Sequence, residues 1–196
     1  MRHPEITKKT IVDASSALFN TQGYKATSLR DITEATGLTK GAIYRHFESK
    51  EDLEKQALAN LGGLVFTTLN REIKQAPTFE TKFEAVFNVF QEYITKPIWQ
   101  GGCPLLNVAI EADDAHPALR KQAQVMLHRL RAAVCTLIEN GIKHQQVRPD
   151  LDIEQHTHLI IASLEGAIMM SKLDGNDQAI QSICNYLREV IRQMKL

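Results

Sequence analysis

The sequence predicts an all-α chain of about nine helices. Every strong apolar repeat runs at spacings of three and four, and none alternates in twos for long. Only six prolines and ten glycines punctuate 196 residues, too few for a strand-and-turn architecture or a disordered chain. With 43% hydrophobic and 23% charged residues, the chain has the composition of a globular protein long enough to bury a core.

Pro4 suits a first helical turn, and Ile11, Ala14, Leu18 and Phe19 give the first helix an apolar face ending at Gly23. Ser28-Leu-Arg-Asp31 is a capping box that opens a short second helix, Leu29–Thr36, stopped by Gly37. Thr39 caps a third, Lys40–Phe47, and Ser49-Lys-Glu-Asp52 opens a long fourth running to about residue 74. Pro77 breaks the chain, and Thr78 starts a fifth helix carrying Phe79, Phe83, Phe87, Phe90 and Ile94. The stretch Pro97–Pro104, with Gly101 and Gly102, reads as a loop. A short sixth helix to about Asp114 and a seventh from Pro117 to about His144 follow. The last two, near 152–173 and 177–194, are separated by Asp174-Gly175-Asn176. The expected domains are a head at 1–50 and a larger body at 51–196, with the boundary inside the fourth helix.

The N-terminal stretch lacks an apolar core of signal-peptide length, and no apolar run is long enough to cross a bilayer, so a cytoplasmic protein with no membrane partner is expected. Cys103, Cys135 and Cys184 are an odd, widely spaced set without a CxxC pair, which fits a reducing compartment. No Ser/His/Asp set, phosphate loop or metal-ligand spacing emerges, so neither an enzyme nor a cofactor or metal is expected. The formal net charge is zero, but its distribution is uneven: residues 1–50 carry eight Lys/Arg and five Asp/Glu (8 − 5 = +3), the remainder 15 − 18 = −3. A basic head on an acidic body suits a protein that meets phosphate with one end.

Two short helices turning at Gly37-Leu38 make a helix-turn-helix. At about 100° per residue, Ala42, Ile43, His46 and Phe47 share one half of the third helix, and Lys40, Gly41, Tyr44 and Arg45 the other. The second set offers a cation, a close-approach glycine, a phenol and a guanidinium, the equipment of a major-groove reader. Arg45 can pair bidentately with a guanine edge, and Tyr44 can meet a phosphate or a thymine methyl. Thr39, Lys40 and Lys50 suit phosphates, and the helix starts at Thr27-Ser28 and Ser49-Lys50 favour an anion.

The stretch from Gly23 to Leu53 closely resembles the signature of the TetR family of bacterial transcriptional regulators. It supplies in order Gly23, Thr27, Ile32, Gly37, Gly41, Tyr44, His46, Phe47, Lys50 and Leu53, within a match over about residues 8–55. The resemblance implies DNA roles for Thr27, Ser28, Thr39, Lys40, Gly41, Tyr44, Arg45, His46 and Lys50, the last anchoring a phosphate. His46 stays open between a phosphate contact and a structural histidine, since the helical wheel turns it partly inward. Arg45 stands where members vary, which makes it the candidate specificity residue. The implied function is a sequence-specific DNA-binding regulator acting as a homodimer on a palindromic operator, a repressor released by a small-molecule inducer.

The ninth helix carries an apolar stripe of Ile180, Ile183, Cys184, Leu187, Val190, Ile191 and Met194, and the eighth is apolar nearly all round its middle. In the family these helices pair with their symmetry mates, so Ile180, Ile183, Leu187, Val190 and Ile191 are the expected dimer interface. Family members also keep a ligand cavity among helices four to eight. Its expected lining is Phe66, Phe87, Phe90, Tyr93, Trp99, Cys103, Asn107, Glu165 and Met169, aromatic walls with a few polar points. Cys103, after two glycines at a helix start, is also the candidate for a thiol switch.

Overall fold

The computed structural model describes residues 4–112 and 116–196. Among them nine helices follow in order: α1 (Pro4–Gln22), α2 (Leu29–Thr36), α3 (Lys40–Tyr44), α4 (Lys50–Gln75), α5 (Phe79–Thr95), α6 (Pro104–Ala112), α7 (Pro117–Lys143), α8 (Ile153–Asp174) and α9 (Gln178–Gln193). The only pairing of extended backbone among these residues is one isolated bridge between Val147 and Lys195. None of the helices is long and apolar enough to cross a membrane. The sixth helix is described to Ala112; its expected end near Asp114 lies outside the described residues.

Caps place most boundaries. Ser28 and Asp31 form the reciprocal box at the start of α2, and Gly37, at φ 66°, closes it in the left-handed region. Thr39 accepts the Ala42 N–H at the start of α3, Thr78 and Thr81 box the start of α5, and Gly175 at φ 66° ends α8. One boundary differs from expectation. α3 ends at Tyr44 rather than Phe47, because His46 N–H turns to the Ile43 carbonyl three residues back and tightens the chain.

The chain packs as two compact units. The first comprises residues 1–64 and 99–126, the second 65–98 and 127–196. The first therefore takes in the predicted head, the start of α4, all of α6 and the start of α7. Its core is built from Ile11, Phe19, Tyr24, Ile32, Ile43, Phe47, Leu53 and Leu58, all nearly or wholly buried. Phe19 and Tyr24 stack with centroids 5.0 Å apart. Ser16 donates to the Ala57 carbonyl at 3.1 Å and receives the Asn60 amide, which ties α1 to α4.

The second unit is a bundle in which α9 packs on α5 and α8. Phe79, Phe83 and Phe87 descend one face of α5, with Phe79 and Phe83 edge to face. Ile180, Cys184, Leu187 and Ile191 of α9 and Ile160, Leu164, Ala167 and Ile168 of α8 are buried in the same unit. Burial pushes the Cys184 thiol up to about 11, which leaves it a protonated apolar filler at neutral pH.

Arg188 clamps α9 to α5 with two hydrogen bonds of 2.8 Å to the two Glu84 oxygens. Hydrogen bonding to Arg188 holds the Glu84 carboxyl below its ordinary 4.5, against the opposing effect of burial. A depressed carboxylate stabilises the fold above its unfolded pKa, and that contribution is lost as pH falls from 4.5 through the folded value. The pair is partly exposed, so about 1 kcal/mol is expected after solvent screening. Urea unfolding should show the wild type more stable than Glu84→Gln above pH ~5, the difference shrinking as pH falls through the folded value of Glu84.

Candidate functional site

The turn, the two short helices and their caps set the outward face of the helix-turn-helix. Ile43 and Phe47 are buried and Ala42 and His46 half-buried, whereas Lys40, Gly41, Tyr44 and Arg45 are exposed, so the division expected from the helical wheel is the one observed. The Lys40 ammonium lies 5.8 Å from the Tyr44 ring centroid, and the two side chains form one cationic-aromatic patch. The Thr39 oxygen is used as a cap, which leaves its hydroxyl hydrogen available to an acceptor. His46 lies beside the Phe47 ring, centroids 6.4 Å apart.

Two residues expected at phosphates are engaged elsewhere. Thr27 is fully buried; its N–H and its hydroxyl both donate to the Gly23 carbonyl, at 3.1 and 2.7 Å. It is a turn brace, and neither group remains for DNA. Lys50 is turned inward: its Nζ donates to the Tyr24 carbonyl at 2.8 Å and lies 3.1 Å from Glu54 Oε1. Glu54 is 2% exposed, and His116 Nε2 lies 3.8 Å from its other oxygen. Lys50 therefore compensates a buried carboxylate and joins α4 to the loop before α2. Ser28 is exposed, but its N–H and its hydroxyl both donate to Asp31 Oδ2, at 2.7 and 2.8 Å. These hydrogen bonds, the backbone one first, hold the Asp31 carboxyl below its usual value and keep the cap charged.

Sequence reasoning missed Glu54 and Glu111. Glu54 stands four residues after Lys50 on α4, a spacing that could have flagged the pair. Glu111 of α6 accepts the N–H groups of Tyr24 and Lys25 at 2.8 and 3.1 Å, and no local pattern signals a contact across that much chain.

The second unit holds a narrow cavity between α4, α5, α7 and α8. Of the nine residues expected to line a ligand site, it takes Phe66, Phe90 and Glu165. Leu69, Val86, Val134, Leu137, Ile160 and Leu164 supply most of the remaining wall. The Arg129 guanidinium sits 4.0 Å from the Phe66 ring centroid. The other six expected residues lie outside this cavity. Phe87 is buried beneath α9, where its carbonyl meets Cys184, and Tyr93 is likewise buried; Met169 is exposed. Trp99, Cys103 and Asn107 belong to the first unit. There Cys103 is buried, and Asn107 donates to the Asn20 carbonyl and side-chain oxygen at 3.1 Å each.

The expected interface also needs correction. Ile180, Leu187 and Ile191 are 0–1% exposed, consumed by their own unit's core, and cannot meet a partner. Ile183 and Val190 are half-buried and flank Tyr186, which is 64% exposed. On α8, Leu159, Met169, Met170 and Leu173 are exposed, the last at 80%.

Comparison with known proteins agrees with this architecture. Residues 11–57 match the family model of bacterial regulatory proteins of the tetR family, and residues 80–187 the tetracyclin repressor-like C-terminal domain. The chain is 35% identical to a TetR transcriptional regulator from Chloroflexus aurantiacus J-10-FL, covering 100% of this chain and 98% of that one, with a TM-score of 0.94. A TetR-family regulator from Cytophaga hutchinsonii is 32% identical at the same coverage, with a TM-score of 0.91. Among curated proteins, the HTH-type transcriptional repressor DhaR of Mycobacterium sp. (strain GP1) is 25% identical over 187 residues, 94% of this chain and 91% of that protein. A helix-turn-helix with an outward patch of Lys40, Tyr44 and Arg45, joined to a helical body that matches its own family model, places this chain in the TetR family of DNA-binding bacterial transcriptional regulators.

Proposed function

We propose that the protein is a repressor that binds a palindromic operator as a homodimer and leaves it when a small molecule occupies the cavity of the second unit. The observation that carries the DNA half is the exposed set Lys40, Gly41, Tyr44 and Arg45, held outward by buried Ile43 and Phe47. Thr39 and Lys40 meet phosphates, Gly41 allows close approach, Tyr44 packs on backbone or a thymine methyl, and Arg45 reads a base edge. Repression is also what the name of the DhaR relative states for that protein.

Two heads must meet successive major grooves about 34 Å apart, which a dimer supplies. The exposed apolar residues Leu159, Met170, Leu173 and Tyr186, with half-buried Ile183 and Val190, are the surface we assign to it. The cavity has walls of aliphatic and aromatic carbon with Glu165 and Asn70 as polar points, which suits an apolar ligand with one or two polar groups. α4 contributes Lys50 to the head and Phe66 and Leu69 to the cavity, so a ligand displacing its distal part acts on the same helix that braces the head. A hundredfold release requires the ligand to prefer the released form by about 2.7 kcal/mol, within the usual range of coupling energies.

Arg45→Ala separates base reading from general attraction. Against a duplex enriched from a random pool by the wild type, the variant should lose about 1–3 kcal/mol and relax discrimination at one base pair per half-site. If enriched and random duplexes weaken equally in a fluorescence anisotropy titration, Arg45 is not a base-reading residue.

A further inference from the structure

The backbone of Tyr24 is held on both sides of its Cα. Its N–H, with that of Lys25, donates to Glu111 Oε2 on α6, and its carbonyl accepts from Lys50 on α4. Gly23 is what lets the carboxylate come so near. It sits at φ +92°, and a Cβ there would lie 2.8 Å from Glu111 Oε1. α6 is itself fixed to α1: Asn107 donates to the Asn20 backbone and side chain, and the Asn20 amide donates to the Gly102 carbonyl at 3.0 Å. From the clamped peptide, Thr27 bonds back to Gly23 and Ser28 caps α2. A short, internally bonded loop thus runs from Glu111 to the start of the helix-turn-helix. All of these residues lie in the first compact unit.

We propose that Glu111 is a positioning residue for DNA binding, acting from α6 through the Tyr24–Ser28 loop on the seating of α2 and α3. The inference rests on the DNA-binding reading above. Glu111 lies outside residues 11–57, the segment matched by the DNA-binding family model, so the head is completed by a carboxylate supplied from elsewhere in the chain. Two adjacent N–H groups converging on one carboxylate oxygen are a strong, charge-assisted anchor. A neutral side chain there leaves the loop free to settle in more than one conformation, and only base reading demands the one.

The test uses the full chain as wild type, Glu111→Ala and Glu111→Gln, with two probes: a duplex enriched by the wild type from a random pool, and a random-sequence duplex. Glu111→Ala should bind the enriched duplex about tenfold more weakly, the loss of one charge-assisted anchor. Glu111→Gln, which retains one acceptor oxygen, should fall between. Binding to the random duplex should hold, since general attraction to phosphate does not depend on one loop conformation. The backbone amide resonances of Tyr24 and Lys25 should move in both variants while the rest of the spectrum stays folded. A purely structural defect would instead weaken both duplexes in proportion to the unfolded fraction. Enriched-duplex binding unchanged in Glu111→Ala, or a parallel loss on both duplexes in folded Glu111→Gln, overturns the proposal alone. A wild type that enriches no duplex overturns the DNA reading and this inference with it.

Discussion

Lys50→Met should lower the stability of the protein by about 3 kcal/mol, a far larger effect than loss of a surface lysine produces. The Lys50 ammonium lies 3.1 Å from Glu54 Oε1, and Glu54 is almost wholly buried. Deleting one partner of a buried pair strands the other charge, which typically costs about 3–5 kcal/mol. Here the lower end applies, because the Lys50 side chain keeps 32% of its exposure and His116 Nε2 remains 3.8 Å from the carboxylate. The Tyr24 carbonyl loses its donor as well. In Lys50→Met/Glu54→Met most of this loss should return, so a double-mutant cycle by urea unfolding should give a coupling energy of about 2 kcal/mol. A simple phosphate anchor predicts the opposite pattern: unchanged stability, and a salt dependence of DNA binding shallower by about one unit. Unchanged stability in Lys50→Met would restore that reading.

The same residue shows where sequence reasoning stops. The helices were legible because their ends are written locally. Ser28 with Asp31, Thr39, Thr78, Gly37 and Gly175 each act on backbone groups within four residues, and each cap is present. The outward half of α3 was legible for the same reason: spacing alone sorts Ile43 and Phe47 from Lys40 and Arg45. The end of α3 was not, because the switch from four-residue to three-residue hydrogen bonding at Ile43 leaves no compositional mark. Lys50 stands at a family position that implies phosphate, but its actual acceptor is a carbonyl 26 residues upstream. Glu111 reaches its amides from 87 and 86 residues away. Partners at such distances are chosen by packing, which periodicity does not encode.

The cavity of the second unit follows the same division. Phe66, Phe90 and Glu165 line it from the inner faces of helices whose existence was clear. Trp99, Cys103 and Asn107 fall outside that cavity because the chain after α5 enters the first unit. Aromatic content identifies what can line a cavity, and only topology identifies what does.

The apolar stripe of α9 divides, with Ile180, Leu187 and Ile191 in the protomer's own core and Ile183 and Val190 only half-buried, and substitutions at two adjacent positions expose the difference. Leu187 is 1% exposed, between α5 and α8. Leu187→Arg removes a core side chain, worth about 2–5 kcal/mol, and forces a guanidinium into apolar surroundings at a further cost of several kcal/mol. Together these match the whole stability of a typical domain, so the expected result is loss of the second unit's cooperative unfolding transition. Tyr186, one residue earlier, points the other way and is 64% exposed. Tyr186→Arg should leave the thermal transition of each protomer nearly in place while shifting sedimentation equilibrium from dimer to monomer. The introduced charge would lie buried against its own symmetry copy, with no counter-ion across the axis. Binding to the enriched duplex should fall with the dimer, because a lone head reads one half-site. A Tyr186→Arg protein that remains dimeric moves the interface off the outward side of α9. A Leu187→Arg protein that melts like the wild type denies that the stripe is core.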